Sequence, residues 1–171
     1  VDYFAWILEG EVKNYTNWEL TQNGQTTITN EYTTSKLTNL SIDWLNSQKQ
    51  PWFLWLAYNA PHGPFHVPPN NLHNQGNLPN NKANIDSNPT PYYMAMIEAM
   101  DSEIGRLLNS MSKETRDNTI IIFIGDNGTP PEVAQEYPNV AKVWSRTKWT
   151  LYEGGVNVPM IISGKNVNRF N

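Results

Sequence analysis

The sequence predicts an α/β fold, a sheet with helices on its faces. Two apolar runs of strand length, 52–58 (WFLWLAY) and 119–124 (TIIIFI), lack the alternation of a half-wet strand, which is the pattern of strands covered on both faces. Segments of helical period lie between the strand-like runs, as crossover connections require. Each of the two runs stops at a loop of Asn, Pro and Gly or of Gly, Asp and Asn, and in such sheets ligands sit beyond the carboxyl ends of the strands.

In chain order, residues 1–31 mix Val1, Trp6, Tyr15 and Trp18 with Thr and Asn, a composition of short strands and turns, with Asn23-Gly24 as a turn. From Thr33 to Gln48, Leu37, Leu40, Trp44 and Leu45 fall at helical spacing behind Thr and Ser capping candidates. Lys49-Gln50-Pro51 ends that helix, and the strand at 52–58 follows. A loop rich in Pro and Asn then runs to about Thr90, too long for a simple connector. Pro91 opens the next helix, whose expected apolar face is Ile97, Met100, Ile104, Leu107, Leu108 and Met111. A turn at 113–118 leads to the strand at 119–124, and a third short run, 158–162 (VPMII), precedes Ser163-Gly164.

The 171 residues suffice for one domain or part of a larger one. Lys and Arg number 12 against 16 Asp and Glu, a net charge of −4, with 39% hydrophobic and 16% charged residues. This balance excludes a basic nucleic-acid binder and a highly charged disordered chain. No stretch reaches the roughly 20 apolar residues of a membrane span, and residues 1–20 lack a signal peptide's basic start and apolar run, so the chain reads as a soluble, mature segment. With no cysteine there is no disulfide framework, thiolate zinc site or thiol nucleophile. The 7 Trp, 8 Tyr and 5 Phe, with Asn throughout, suit carbohydrate, because sugar rings stack on aromatic faces and amides serve hydroxyls in both directions. The same residues also build ordinary cores.

Candidate chemistry gathers at the strand ends. Asp126 and Asn127 offer one charged and one neutral oxygen between flanking glycines, the hard ligands that calcium or magnesium prefers. Asp-Asn-Gly is equally ordinary turn chemistry. His62 stands between Pro61 and Pro64, whose fixed φ values limit its approach, so it could serve as a proton or hydrogen-bond donor to an anion; a surface loop histidine satisfied by water or a carbonyl is the plainer reading, and His66 and His73 are expected to be of that kind. Lys148 precedes the Gly154-Gly155 turn and could meet a tetrahedral anion as a point charge, although exposed lysines usually do nothing of the sort.

Taken together, residues 49–64 (KQPWFLWLAYNAPHGP), 92–108 (YYMAMIEAMDSEIGRLL), 118–128 (NTIIIFIGDNG) and 148–164 (KWTLYEGGVNVPMIISG) occur in an order that resembles the formylglycine-dependent sulfatases, the arylsulfatase branch of the alkaline phosphatase superfamily. The resemblance covers most of the chain from about residue 32 onward. It implies an alkaline-phosphatase-like sheet flanked by helices, here incomplete. It also implies that Asp126 and Asn127 are half of a divalent-metal site, usually Ca2+, with Mg2+ the other candidate. Lys148 matches the lysine that holds a sulfate oxygen, and His62 the histidine near the bridging ester oxygen. Glu153, in the Tyr-Glu-Gly-Gly signature, is expected to fix the turn.

Two features depart from the family pattern. Its nucleophile is a formylglycine made from the first residue of a Cys-x-Pro-x-Arg or Ser-x-Pro-x-Arg motif, and the sole Ser-x-Pro here, Ser87-Asn88-Pro89, has Pro91 where arginine is required. The adjacent Asp pair that opens the family's metal site is missing as well. The expectation is therefore that residues 1–171 are the central part of a single sulfatase catalytic domain, without its nucleophile region or carboxy-terminal subdomain. Such a segment should be inactive alone, hold calcium weakly and tend to self-associate.

Aromatic content alone points to a sulfated polysaccharide or glycosaminoglycan as the sulfate ester. Location by resemblance is periplasmic or extracellular. Two other readings stay open: a phosphodiesterase or phosphonate hydrolase of the same superfamily, and a non-catalytic carbohydrate-binding module. The first need not keep Lys148 with the Tyr-Glu-Gly-Gly turn. The second would bind sugar without regard to a chelator or to Asp126→Ala.

Overall fold

Asn23 and Gly24 both have positive φ, 49° and 80°, the backbone of a two-residue turn whose twist matches that of paired strands. In the computed structural model, which describes residues 5–6, 13–134 and 147–168, that turn closes a hairpin. Strand β1 (Ala5–Trp6) pairs antiparallel with β2 (Trp18–Gln22), and β2 pairs antiparallel with β3 (Gln25–Thr29) in register Leu20↔Thr27. The strand-and-turn expectation for 1–31 holds there; residues 1–4 and 7–12 lie outside the described residues. The chain divides into two compact units, Val1–Ser110 and Met111–Asn171.

In the first unit, helix α1 (Thr33–Ser47) follows the hairpin. No Ser or Thr caps it: Tyr32 is the N-cap residue, and the Thr33 N–H and hydroxyl both donate to the Tyr15 carbonyl, at 2.8 and 3.0 Å. Its buried residues are Thr33, Thr34, Leu37, Thr38 and Ser41, more polar than the apolar spacing predicts. The Thr38 and Ser41 hydroxyls can be buried because Thr38 donates to the Thr34 carbonyl at 2.9 Å and Ser41 to the Leu37 carbonyl at 2.8 Å. Leu37 joins Trp18 and Leu20 in the core, with Leu40, Leu56 and Tyr58 packed against them.

Residues 52–58 do not become a strand covered on both faces. They join no ladder among the described residues, and exposure alternates along them. Trp52, Leu54, Leu56 and Tyr58 are half-buried, and Trp52 meets Trp44 of α1 edge-on at 6.3 Å. Phe53 and Trp55, on the other side, are 84% and 83% exposed. An apolar run of this kind specifies a surface that could be covered, and cover on one side only leaves the odd-numbered row in water.

The long loop contains a 3-10 turn, Asn70–Leu72, and a short helix α2 (Lys82–Ser87), capped by Asn81, whose Oδ1 accepts the Asn84 N–H at 3.0 Å. Helix α3 (Thr90–Ser110) packs against α1. Its buried stripe is Tyr92, Ala95, Met96, Ala99, Met100, Glu103 and Leu107, rotated from the predicted face, so that Ile97, Ile104 and Leu108 are only half-buried. Small Ala95 and Ala99 sit at the packing line, where the lack of bulk lets a neighbour approach closely.

In the second unit the expected turn at 113–118 is a helical turn, α4 (Lys113–Asp117), capped by Ser112, whose Oγ accepts the Thr115 N–H at 3.1 Å. Strand β4 (Ile120–Ile124), helices α5 (Pro131–Ala134) and α6 (Glu153–Val156), and strand β5 (Met160–Gly164) complete the described elements. β4 and β5 pair antiparallel with Ile122 opposite Ile162. β4 is not covered on both faces either: Ile121 and Phe123 are half-buried, while Ile120, Ile122 and Ile124 are exposed. The third strand starts at Met160, two residues later than the apolar run, because Pro159 has no N–H to give a ladder. Among the described residues no helix is long and apolar enough to cross a membrane.

Candidate functional site

His62 lies in an irregular loop held by its backbone. Its N–H donates to the Asn59 carbonyl at 2.8 Å, and its own carbonyl accepts the buried Tyr15 hydroxyl at 2.7 Å. Both flanking peptide bonds, Ala60-Pro61 and Gly63-Pro64, are cis. The exposed ring places Nδ1 at 2.9 Å from the Gly63 carbonyl oxygen. A carbonyl can only accept, so Nδ1 carries a proton and Nε2 is the nitrogen left to face a ligand.

His66 and His73 are less exposed than the surface loop histidines the sequence suggests, although a carbonyl does satisfy His66. His66 is half-buried, its ring 4.2 Å from that of Tyr15 and 5.6 Å from that of Tyr32. Nδ1 donates to the Pro64 carbonyl at 3.1 Å, and Nε2 lies 3.3 Å from the Tyr32 hydroxyl. Burial pushes its pKa down, against the smaller upward pull of the Pro64 carbonyl, so the neutral ring is favoured. His73 is buried too, and its Nδ1 accepts the Gln75 N–H at 3.3 Å. Tyr15 and Tyr32, which flank His66, are distant from it in sequence, so no local pattern announces its burial.

In the second unit, backbone hydrogen bonds lace the loop after β4 to the segment from Lys148 to Pro159. The Gly125 N–H donates to the Pro159 carbonyl at 3.0 Å, the Gly128 N–H to the Gly155 carbonyl at 3.1 Å, and the Lys148 N–H to the Thr129 carbonyl at 3.1 Å. Asp126 and Asn127 therefore ride on a loop whose two ends are tied beside Lys148 and the Gly-Gly turn. Gly128 is required by this approach, because a Cβ there would overlap the Gly154 carbonyl oxygen. Asp126 and Asn127 are exposed, and among the described residues their side chains have no hydrogen-bond or ion-pair partner. Lys148, half-buried, pairs with no carboxylate among the described residues; its ammonium stands 6.0 Å from the centre of the Trp149 ring.

Glu153, the first residue of α6, holds the turn: its Oε1 accepts the Asn157 amide at 2.7 Å, and its carbonyl accepts the Asn157 N–H at 2.8 Å. Among the described residues no three His, Cys, Asp or Glu side chains gather as a metal cluster. Asp126 and Asn127 are hard oxygen donors, unpaired and solvent-facing, which fits part of a calcium site; two donors fall short of the 6–8 oxygens that calcium takes. Ser87, in the discounted Ser-x-Pro, closes the end of α2 by donating to the Asn84 carbonyl at 3.0 Å.

The sequence also gave no hint of a polar tie inside the first unit. Glu103 is 3% exposed, yet Arg106 reaches its Oε2 with Nε at 2.8 Å and a terminal nitrogen at 2.5 Å, and Ser35 donates to Oε1 at 2.8 Å. These hydrogen bonds satisfy the lone pairs of the buried carboxylate, and the one from Ser35 joins α1 to α3.

Mixed α/β elements, with chemistry-bearing residues on the loops that follow apolar segments, define the class. The chain matches the sulfatase family over residues 3–169 and belongs to it. It is 30% identical over 165 residues to the uncharacterized sulfatase YdeN of Escherichia coli K12, covering 94% of this chain and 28% of that protein. It is 24% identical to an arylsulfatase of Klebsiella aerogenes, over 71% of this chain and 42% of that one. The crystal structure of Ps i-CgsB, also solved in complex with k-i-k-neocarrahexaose, matches with a TM-score of 0.66 and 29% identity over 86% of this chain and 31% of that one. The fold is thus alkaline-phosphatase-like, represented by small sheets, and the chain spans well under half the length of these relatives.

Proposed function

We propose that this chain supplies the sulfate-binding and part of the metal-binding apparatus of a sulfuric ester hydrolase. Lys148 neutralises a sulfuryl oxygen. His62, in its imidazolium form with Nδ1–H on the Gly63 carbonyl, donates its Nε2 proton or hydrogen bond to the bridging oxygen as the alcohol leaves. Asp126 and Asn127 would hold part of the coordination shell of Ca2+, or of Mg2+, which when bound adds positive charge beside the sulfuryl oxygens. The reaction needs both services: neutralised equatorial charge and a stabilised leaving oxygen.

The observation that carries this reading is the set of hydrogen bonds from Gly125, Gly128 and Lys148, which ties the Asp126-Asn127 loop to the lysine and the Gly-Gly turn. The Nδ1–H of His62, spent on the Gly63 carbonyl, supports the second role. The nucleophile, a formylglycine in this reading, belongs to other residues, since the chain has no cysteine and no Ser-x-Pro-x-Arg. A sulfated carbohydrate is the proposed substrate class, supported by the aromatic content and by the oligosaccharide bound to the Ps i-CgsB relative. The proposed location is periplasmic or extracellular.

The test is steady-state kinetics of the enzyme that includes its nucleophile, with 4-nitrophenyl sulfate and an alkyl sulfate. Lys148→Ala should lower kcat/KM about 10²–10³-fold on both, as loss of one oxyanion donor does elsewhere. His62→Ala should cost about 10²-fold or more on the alkyl sulfate and much less on the nitrophenyl ester, whose leaving group needs no proton. Equal losses on the two esters would remove His62 from the leaving oxygen, and an unchanged Lys148→Ala would remove the sulfate assignment.

A further inference from the structure

We propose that Trp149 determines specificity, its indole stacking on the sugar ring whose sulfate Lys148 holds, a proposal that rests on the reading of Lys148 as the sulfate-binding lysine. Trp149 has φ 73°, in the left-handed region that favours glycine and penalises a bulky side chain. Its ring is 75% exposed, so little burial offsets that strain. A residue that is both strained and wet contributes nothing to the fold that glycine would not contribute better. Strain kept at such a place points to a ligand.

What the conformation does accomplish is placement. The Lys148 ammonium lies 6.0 Å from the indole centre, a separation that one sulfated sugar bridges, with its anionic group on the lysine and its ring against the aromatic face. The turn that carries Trp149 is rigid. The Lys148 N–H is spent on the Thr129 carbonyl at 3.1 Å, and the Thr150 N–H and hydroxyl both donate to the Thr147 carbonyl, at 3.2 and 2.7 Å. Gly155 closes from below, where a Cβ would overlap the Thr150 carbonyl oxygen. The ring is thus held out before ligand arrives, which lowers the ordering cost of binding. Stacking takes the apolar C–H face of a pyranose and leaves its hydroxyls in water, so the site selects sulfated carbohydrate over sulfate esters of flexible alcohols.

Calorimetric titration of the protein with a sulfated neocarrahexaose, hexyl sulfate and sodium sulfate tests this. Trp149→Gly, which also relaxes the backbone and so retains the fold, should weaken the hexasaccharide about ten-fold. It should leave sodium sulfate and hexyl sulfate unchanged, and Trp149→Tyr should restore most of the hexasaccharide affinity. Lys148→Ala should weaken all three. If Trp149→Gly leaves the hexasaccharide affinity intact while Lys148→Ala still weakens sulfate, the stacking role is wrong and the sulfate assignment stands. If sulfate binding is absent or ignores Lys148→Ala, both fall together.

Discussion

Gly128 and Gly155 show how single residues set the distance between the loops that carry Asp126, Asn127 and Lys148. Each faces a backbone carbonyl that cannot move aside as a side-chain tip could. Gly128→Ala should therefore destabilise the protein by about 1–3 kcal/mol, the usual cost of forced overpacking, and weaken sulfate binding at the same time. Gly105, inside α3, has open space around its Cα, and Gly105→Ala should instead stabilise by about 0.5–1 kcal/mol. Urea midpoints of the two variants measure the contrast. Equal effects would mean that the loop yields easily and that the close approach is not demanding. The glycines are visible in the sequence; that they press on particular carbonyls is not, because the carbonyls of Thr150 and Gly154 belong to a fold-dependent crossing.

Between elements, His66 is wedged against Tyr15 and Tyr32 ahead of α1. Its folded-state pKa is lowered, chiefly by burial, so the unfolded chain binds the proton more readily. The stability it contributes is present above about pH 6.5, the unfolded value, and is lost as pH falls through the folded value. Glu98 is also lowered, chiefly by the Asn74 N–H at 2.6 Å and then by the Gln75 amide, and its contribution is lost only below about pH 4.3. Urea midpoints from pH 7.5 to 5 should fall for the native chain and flatten in His66→Gln. A native slope retained in the variant would assign the loss to another group.

Element positions were readable from the sequence where local chemistry decides them: the Asn23-Gly24 turn, the start of α1 near Thr33, the start of α3 near Pro91, and the strand entering Gly125. Which face each element buries was not. Thr38 and Ser41 hydroxyls satisfied within α1 help a polar stripe to pack, and the alanines of α3 count for little in an apolar periodicity yet lie at its buried line. For 52–58 and β4, cover depends on partners remote in sequence, and no local pattern encodes those. The order of His62, Asp126, Asn127 and Lys148 along the chain was plain, whereas the strain at Trp149 belongs to backbone geometry.

At the scale of the molecule, apolar rows remain in water: Phe53 and Trp55 in one unit, and Ile120, Ile122, Ile124, Met160, Ile161 and Ile162 in the other. Such surfaces, with unpaired backbone along 52–58, drive association. The isolated 171-residue polypeptide should therefore elute as oligomers, and with no nucleophile motif it should not turn over 4-nitrophenyl sulfate. A clean monomer in light scattering contradicts the first expectation, and measurable chelator-sensitive turnover contradicts the second.

Within the second unit, the proposal is that Asp126, Asn127 and Lys148 serve one sulfuryl group beside a divalent cation. Titrating inorganic sulfate into the isotope-labelled chain with calcium present, and following backbone amide resonances, tests it most directly. Concerted shifts with one shared binding constant are expected at Asp126 to Gly128 and at Lys148-Trp149, abolished together by Lys148→Ala. Shifts confined to one of those segments, or fitted only by separate constants, would contradict it.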